Sequence, residues 1–185
     1  MAQNSEEVRN ARLASFEVAV GEAPVLEIRT GGMPANTAAA ATGTVLAELT
    51  LPTDWMAAPA NGVVSKSGTW SDLAANAPGL AGHYRLWNAA KTLCHEQGLC
   101  SQNWTQATDV VVGQQMNANG LVYRSTTAGK TAATGTGPTG TGSGISDGTA
   151  VWAYVGPADM IIDNTNIAVG QTVQVNGYTR TAGNA

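Results

Sequence analysis

The side chains able to do chemistry in this chain fall into four groups. Ala128-Gly129-Lys130-Thr131 has the Gly-Lys-Thr ending of a nucleotide loop. A phosphate loop needs another glycine five residues before that Gly, so that backbone N–H groups can wrap the anion. Arg124 stands there instead. The loop must also open a helix whose N-terminus faces the phosphate, and the "AATGTGPTGTGSG" that follows is too rich in glycine and proline to be one. Phosphate chemistry is not expected.

His83, Cys94, His95 and Cys100 are the soft metal ligands. Zinc sites pair their ligands at short spacing, as in C-x2-C. Adjacent Cys94 and His95 on a strand would point to opposite faces, so ordinary strand residues are expected, with both thiols free in a reducing cytoplasm. The carboxylates Glu27, Glu48, Asp54, Asp72, Glu96, Asp109, Asp147, Asp159 and Asp163 are scattered. No pair stands out as an acid and a base, and no serine sits in a G-x-S-x-G turn. The expectation is a protein without catalytic residues, metal or cofactor. Asn103-Trp104-Thr105 matches a glycosylation acceptor only formally.

The fourth group is aromatic. Trp104, Tyr123 and Trp152 could stack on the apolar face of a sugar, which makes them the candidate glycan contacts. The competing reading is that a small unit needs large side chains to build any core at all. Trp152 and Tyr154 share one face of a strand, with Val151 and Ala153 on the other.

Positioning these groups requires elements that the pattern of the chain suggests. Asn4 followed by Glu7 reads as a helix cap, and Leu13, Phe16 and Val20 recur on one face, predicting a helix from Ser5 to Val20. Beyond Pro24 the pattern turns to short strands: "VLEIRT", "TVLAELTLP", "GVVSKSGTW", "GHYRLWN" and "TLCHEQGL", then "DMIIDN" and "QTVQVNGYTRTA" near the end. "GGMPANTAAAATG" reads as a turn-rich connector. Strands at this spacing predict an all-β protein, a β-sandwich or jelly-roll-like domain with one N-terminal α-helix. Residues 102–156 have a different grain, with strands near Val110, Leu121 and "TAVWAYV" around a Gly/Thr loop. They read as a small β-module inserted into a host domain formed by residues 1–101 and 157–185. On that reading "TLCHEQGL" and "DMIIDN" are the two neighbours of a hairpin whose tip carries the insert.

The chain has 185 residues, 43% apolar, 12% charged and 5% aromatic, with 22 glycines and a formal net charge of -4. Few charges and much Gly and Thr suit β-structure rich in turns. With no cluster of Lys or Arg, nucleic-acid binding is not expected. No run approaches the roughly 20 apolar residues of a membrane helix, and the N-terminus lacks the basic start and apolar run of a secretion signal.

The host segments "RNARLASFEVAVGEAPVLEIRTGGMPAN", "GTVLAELTLPTDWMAAPANGVVSKSGTW", "AGHYRLWNAAKT" and "DMIIDNTNIAVGQTVQVNGYTRTAGNA" resemble a family of tailed-bacteriophage virion proteins, most specifically in the closing "DNTNIA-GQ-V-V" hairpin and "T-GNA" end. The resemblance implies a structural virion component of the capsid decoration (cement) type. It would bind the major capsid protein, form a dimer or trimer, and be assembled in the host bacterial cytoplasm to lie on the capsid surface. The insert resembles small modules of phage virion proteins and, more loosely, short carbohydrate-binding modules. Their early Trp, "G-x-x-Y" strand and late Trp fall here on Trp104, Gly120 with Tyr123, and Trp152. That likeness implies the alternative of a tail or fibre component binding a host receptor or glycan.

Overall fold

The computed structural model describes residues 3–183. It shows an all-β, sandwich-like protein with one N-terminal helix. Helix α1 (Glu6–Val20) is capped by Ser5, whose hydroxyl accepts the Val8 N–H; the cap is therefore one residue later than Asn4. Gly21, at φ 89°, stops the helix in a conformation costly to a residue with a Cβ. Leu13 and Val20 are buried and Phe16 packs beside them, as the spacing predicted. Polar side chains complete the docking. Glu17 accepts the backbone N–H groups of Trp55 and Met56, and Asn10 accepts that of Gly62.

The strands that follow are β1 (Val25–Thr30), β2 (Val45–Thr50), β3 (Val63–Ser65), β4 (Ser71–Asp72), β5 (Gly79–Trp87) and β6 (Cys94–Asn103). Next come β7 (Asp109–Val110), β8 (Gln115–Ala118), β9 (Leu121–Thr127), β10 (Gly129–Lys130), β11 (Ser143–Asp147) and β12 (Ala150–Pro157). The chain ends through β13 (Met160–Ile162), β14 (Asn166–Ile167) and β15 (Val173–Thr181). β2, β1, β5 and β6 form an antiparallel run, after which β13 joins β6 and β15 joins β13. β3 and β4 pair with β15, closing a second layer over the first. Between them lies a core that includes Leu26, Ile28, Leu49, Ile162 and Val175. A chain of rings crosses it, Phe16–Trp55–Trp70–Tyr178–Tyr84, with successive centroids 5.6, 5.8, 5.4 and 6.2 Å apart.

The hairpin expectation is overturned. β6 and β13 are neighbours, but they run parallel, with Met160 beside Cys100 and Ile161 beside Ser101. Parallel neighbours cannot be joined by a tight turn. The segment between them is therefore the crossover itself, and it carries the sheet onward. β8 pairs parallel with the end of β6, and β9, β12 and β11 follow antiparallel. Asn119-Gly120 links β8 to β9 with both residues at positive φ, as a two-residue hairpin turn requires.

The hydrogen-bonded sheet is continuous, yet the apolar side chains gather in two clusters. The larger is drawn from residues 13–100 and 160–178, and the smaller holds Val110, Met116, Ala118, Tyr123, Ala150 and Trp152. Buried polar side chains bridge the junction between them. The Gln115 amide, fully buried, donates to the carbonyls of Ala81, Gly82 and Cys100, and the Thr165 hydroxyl donates to the Gln115 carbonyl. Gln102 Oε1 accepts the Thr165 N–H and the Gln114 amide.

The connector after β1 explains why both faces of "VLEIRT" are buried. Leu26 and Ile28 face the core; on the other face Arg29 lies beneath residues 31–44, which cross it as a strap, and Glu27 is held by Trp87, Lys91 and Arg29. Side chains from three strands hold the strap by its backbone. His83 Nδ1 meets Gly31 O, Gln97 donates to Pro34 O, Arg85 to Thr37 O and Ala39 O, and Arg29 to Thr42 O.

Candidate functional site

The three candidate glycan contacts come together, two of them as core and Trp104 half-buried at its edge. Tyr123 and Trp152, on β9 and β12, are fully buried, and the Tyr123 hydroxyl donates to Gly140 O. Trp104 packs against the same cluster and its indole N–H donates to Asp147 at 2.7 Å. The Gly/Thr loop is laid over it: a Cβ on Gly137 would stand 3.0 Å from the Trp104 ring and 2.8 Å from Ala118. No ring face of Tyr123 or Trp152 is left to stack on a sugar. The physical reason is the shortage of buried area in a unit this small.

Gly129 and Lys130 are strand β10, paired with β7, rather than the mouth of a helix. The Thr131 hydroxyl donates to Thr105 O and accepts the Thr108 N–H, so the phosphate-like triplet is a strut between two loops. The four soft ligands diverge. Cys94 lies under the strap against Arg85 Nε, at 3.2 Å, while Cys100 sits on the opposite face in the main core. Both thiols are free, and burial pushes the Cys100 thiol up to about 12. His83 is buried under the strap beside Arg29 and Arg85, and His95 is half-buried elsewhere on β6.

Two of the scattered carboxylates share a cleft of about 210 Å³ beside α1. Glu96 accepts from the Tyr84 hydroxyl at 2.5 Å, from the Tyr178 hydroxyl at 2.9 Å and from Arg180. Arg180 also lies over the Phe16 ring, 3.8 Å from its centroid. Asp159 accepts the Leu99 N–H, and burial raises its carboxyl above the usual range. Gly98 allows this approach, since a Cβ there would stand 2.8 Å from both Asp159 Oδ2 and the Tyr84 hydroxyl. Glu96 and Asp159 are 63 positions apart and come together through the parallel β6–β13 pairing, which no local pattern could announce. With three donors on Glu96, the cluster works as a tie between β5, β6 and β15.

The outer surface offers a different kind of site. Leu73 and Val169 are 77% and 64% exposed on loops bonded to each other, Ala75 N–H to Gln171 O and Gly170 N–H to Ala75 O, each at 2.8 Å. Ala74 and Ala168 beside them are exposed as well. Single exposed apolar side chains are common; these two stand on loops tied to each other by backbone hydrogen bonds.

Compared with family models, curated proteins and solved structures, the chain matches none.

Proposed function

We propose that this chain is a non-catalytic structural protein of a tailed-bacteriophage virion, of the capsid decoration type. Its host part would lie across neighbouring capsid subunits, with residues 102–156 outward. The observation that carries the reading is the pair of loops bearing Leu73 and Val169, tied together by backbone hydrogen bonds and with both side chains turned to solvent. A cement protein contributes free energy only in the assembled state, by burying such surface against its neighbours. Support also comes from the ending that resembles the virion family, because "DMIIDNTNIAVGQTVQVNGYTRTAGNA" supplies β13, β14 and β15 at the centre of the host layers. What weighs against the glycan-binding alternative is that Tyr123 and Trp152 are core, with only Trp104 half-buried.

Cosedimentation of the purified chain with phage heads lacking it tests the reading. Wild type should saturate the heads, and a double Leu73→Asp, Val169→Asp variant with unchanged melting should bind at least about tenfold more weakly, a loss of about 1.4 kcal/mol. Binding by the variant equal to wild type, or no binding by wild type, overturns it.

A further inference from the structure

Between the host sheet and the insert lies a pocket of about 360 Å³, lined by Thr30, Gly31, Leu80, Ala81, Gly82, Gly113 and Arg124. Its walls are mainly carbon, and three of its residues are glycines. Gly82 permits the backbones to close up on one side, since a Cβ there would stand 2.1 Å from Gly31 O. On the other side the turn at Gly113 comes against Leu80, with only 3.2 Å from a built Cβ to the Leu80 methyl. Arg124 is the one charged group in this lining.

The state of that guanidinium is informative. Of the nine Lys and Arg side chains, Arg29, Lys91, Lys130 and Arg180 have a carboxylate partner within 4 Å, and Arg124, like Arg9, Arg12, Lys66 and Arg85, has none among the described residues. Arg124 donates through Nη2 to Gln115 Oε1 at 3.1 Å. Gln115 is itself fixed by its three carbonyl acceptors. The guanidinium is thus held in place while its charge and remaining donors stay uncommitted. A mainly apolar concavity of this size with one fixed, unneutralised guanidinium is how a small-ligand site is built, and a guanidinium selects a carboxylate through paired, charge-assisted hydrogen bonds. Pre-positioning by Gln115 lowers the ordering cost of binding.

We propose that the junction pocket binds a carboxylate carried on a small apolar body, with the carboxylate on Arg124 and the hydrocarbon on Leu80 and Ala81. Such a group occurs in a free short-chain acid and at the C-terminal residue of a polypeptide. A ligand there would touch β5 of the host and β9 of the insert together, so binding would stiffen the insert against the host.

The test is an NMR titration of the full chain with three probes: 4-methylpentanoate, its neutral amide, and N-acetyl-leucine. Both acids should give saturable shifts at Leu80, Gly82 and Gly113, with the amide at least about tenfold weaker, equivalent to 1.4 kcal/mol. Arg124→Gln should bring acid binding down to the level of the amide, and Arg124→Lys should retain part of it. Tighter binding of N-acetyl-leucine than of 4-methylpentanoate assigns the site to a chain terminus; the reverse order assigns it to a free acid. Equal binding of acid and amide to the wild type, or no saturable shift with any probe, overturns the proposal. That comparison needs no variant, so it stands even if Arg124→Gln fails to fold.

Discussion

Arg85 offers the sharpest test of how the strap is held. It is fully buried, donates to Thr37 O at 2.6 Å, to Ala39 O at 3.0 Å and to Cys94 Sγ at 3.2 Å, and stacks 4.7 Å from the Trp87 ring. Its acceptors are carbonyls and a thiol, so the charge is satisfied by dipoles. Arg85→Met keeps the length and removes the charge. Two charge-assisted hydrogen bonds to the strap vanish, each contributing about 1.5–3 kcal/mol. Against that, a desolvation cost of several kcal/mol disappears with the guanidinium. The net global loss should be modest, about 1–3 kcal/mol, whereas the strap loses its central anchors outright. Hydrogen exchange should therefore accelerate, by up to roughly tenfold for each 1.4 kcal/mol lost locally, at Ala39 and Thr44, the strap amides that donate hydrogen bonds, with the β5 and β6 amides changed only in line with global stability. Arg85→Lys should be worse than Arg85→Met in denaturant unfolding, because an ammonium keeps the buried charge but lacks the fork that reaches two carbonyls. If Lys proves the better tolerated of the two, or if the strap exchanges no faster in Arg85→Met, the account of the buried fork is wrong.

Acid should loosen the same face. Burial, and next the charges of Arg29 and Arg85, hold the His83 pKa below its usual value, against the opposing pull of Gly31 O and Glu27. A depressed folded pKa means that the unfolded chain binds the proton first. The contribution of neutral His83 is full above about pH 6.5 and is lost as pH falls below it, with a slope of at most about 1.4 kcal/mol per pH unit; a His83→Gln variant should flatten that part of a stability–pH curve. Asp159→Asn retains an acceptor for Leu99 N–H and removes a desolvated charge, so its melting temperature should exceed wild type at pH 7 and converge with it near pH 3. Trp152→Ala should cost about 3–5 kcal/mol by emptying the smaller core, read as loss of exchange protection in β9 and β12 before the host strands. Because β6 and β13 are parallel, replacing residues 102–156 by a two-residue turn should abolish cooperative melting, whereas a linker of about 12 residues should restore it at a lower temperature.

Local rules carried much of this protein. The helix was legible because Leu13, Phe16 and Val20 repeat at its period and Gly21 ends it; the strands were legible because glycine, proline and asparagine punctuate short β-rich runs. A separate apolar cluster lies within residues 102–156. Composition, and not local sequence, limited what Trp152 and Tyr123 could do, since so few large side chains in a small unit are needed for its core.

The tertiary structure alone decided the direction of β13 against β6, and with it the meeting of Glu96 and Asp159, the buried amide of Gln115 and the pocket beside Arg124. Strand periodicity is the same for either direction of pairing, so no pattern of apolar residues could choose between a hairpin and a crossover. The strap was equally hidden: nothing local to Arg85 announces that a connector 46 residues away covers it and offers Ala39 O as its acceptor. Side-chain types record which groups need partners, and only the path of the chain determines where those partners lie.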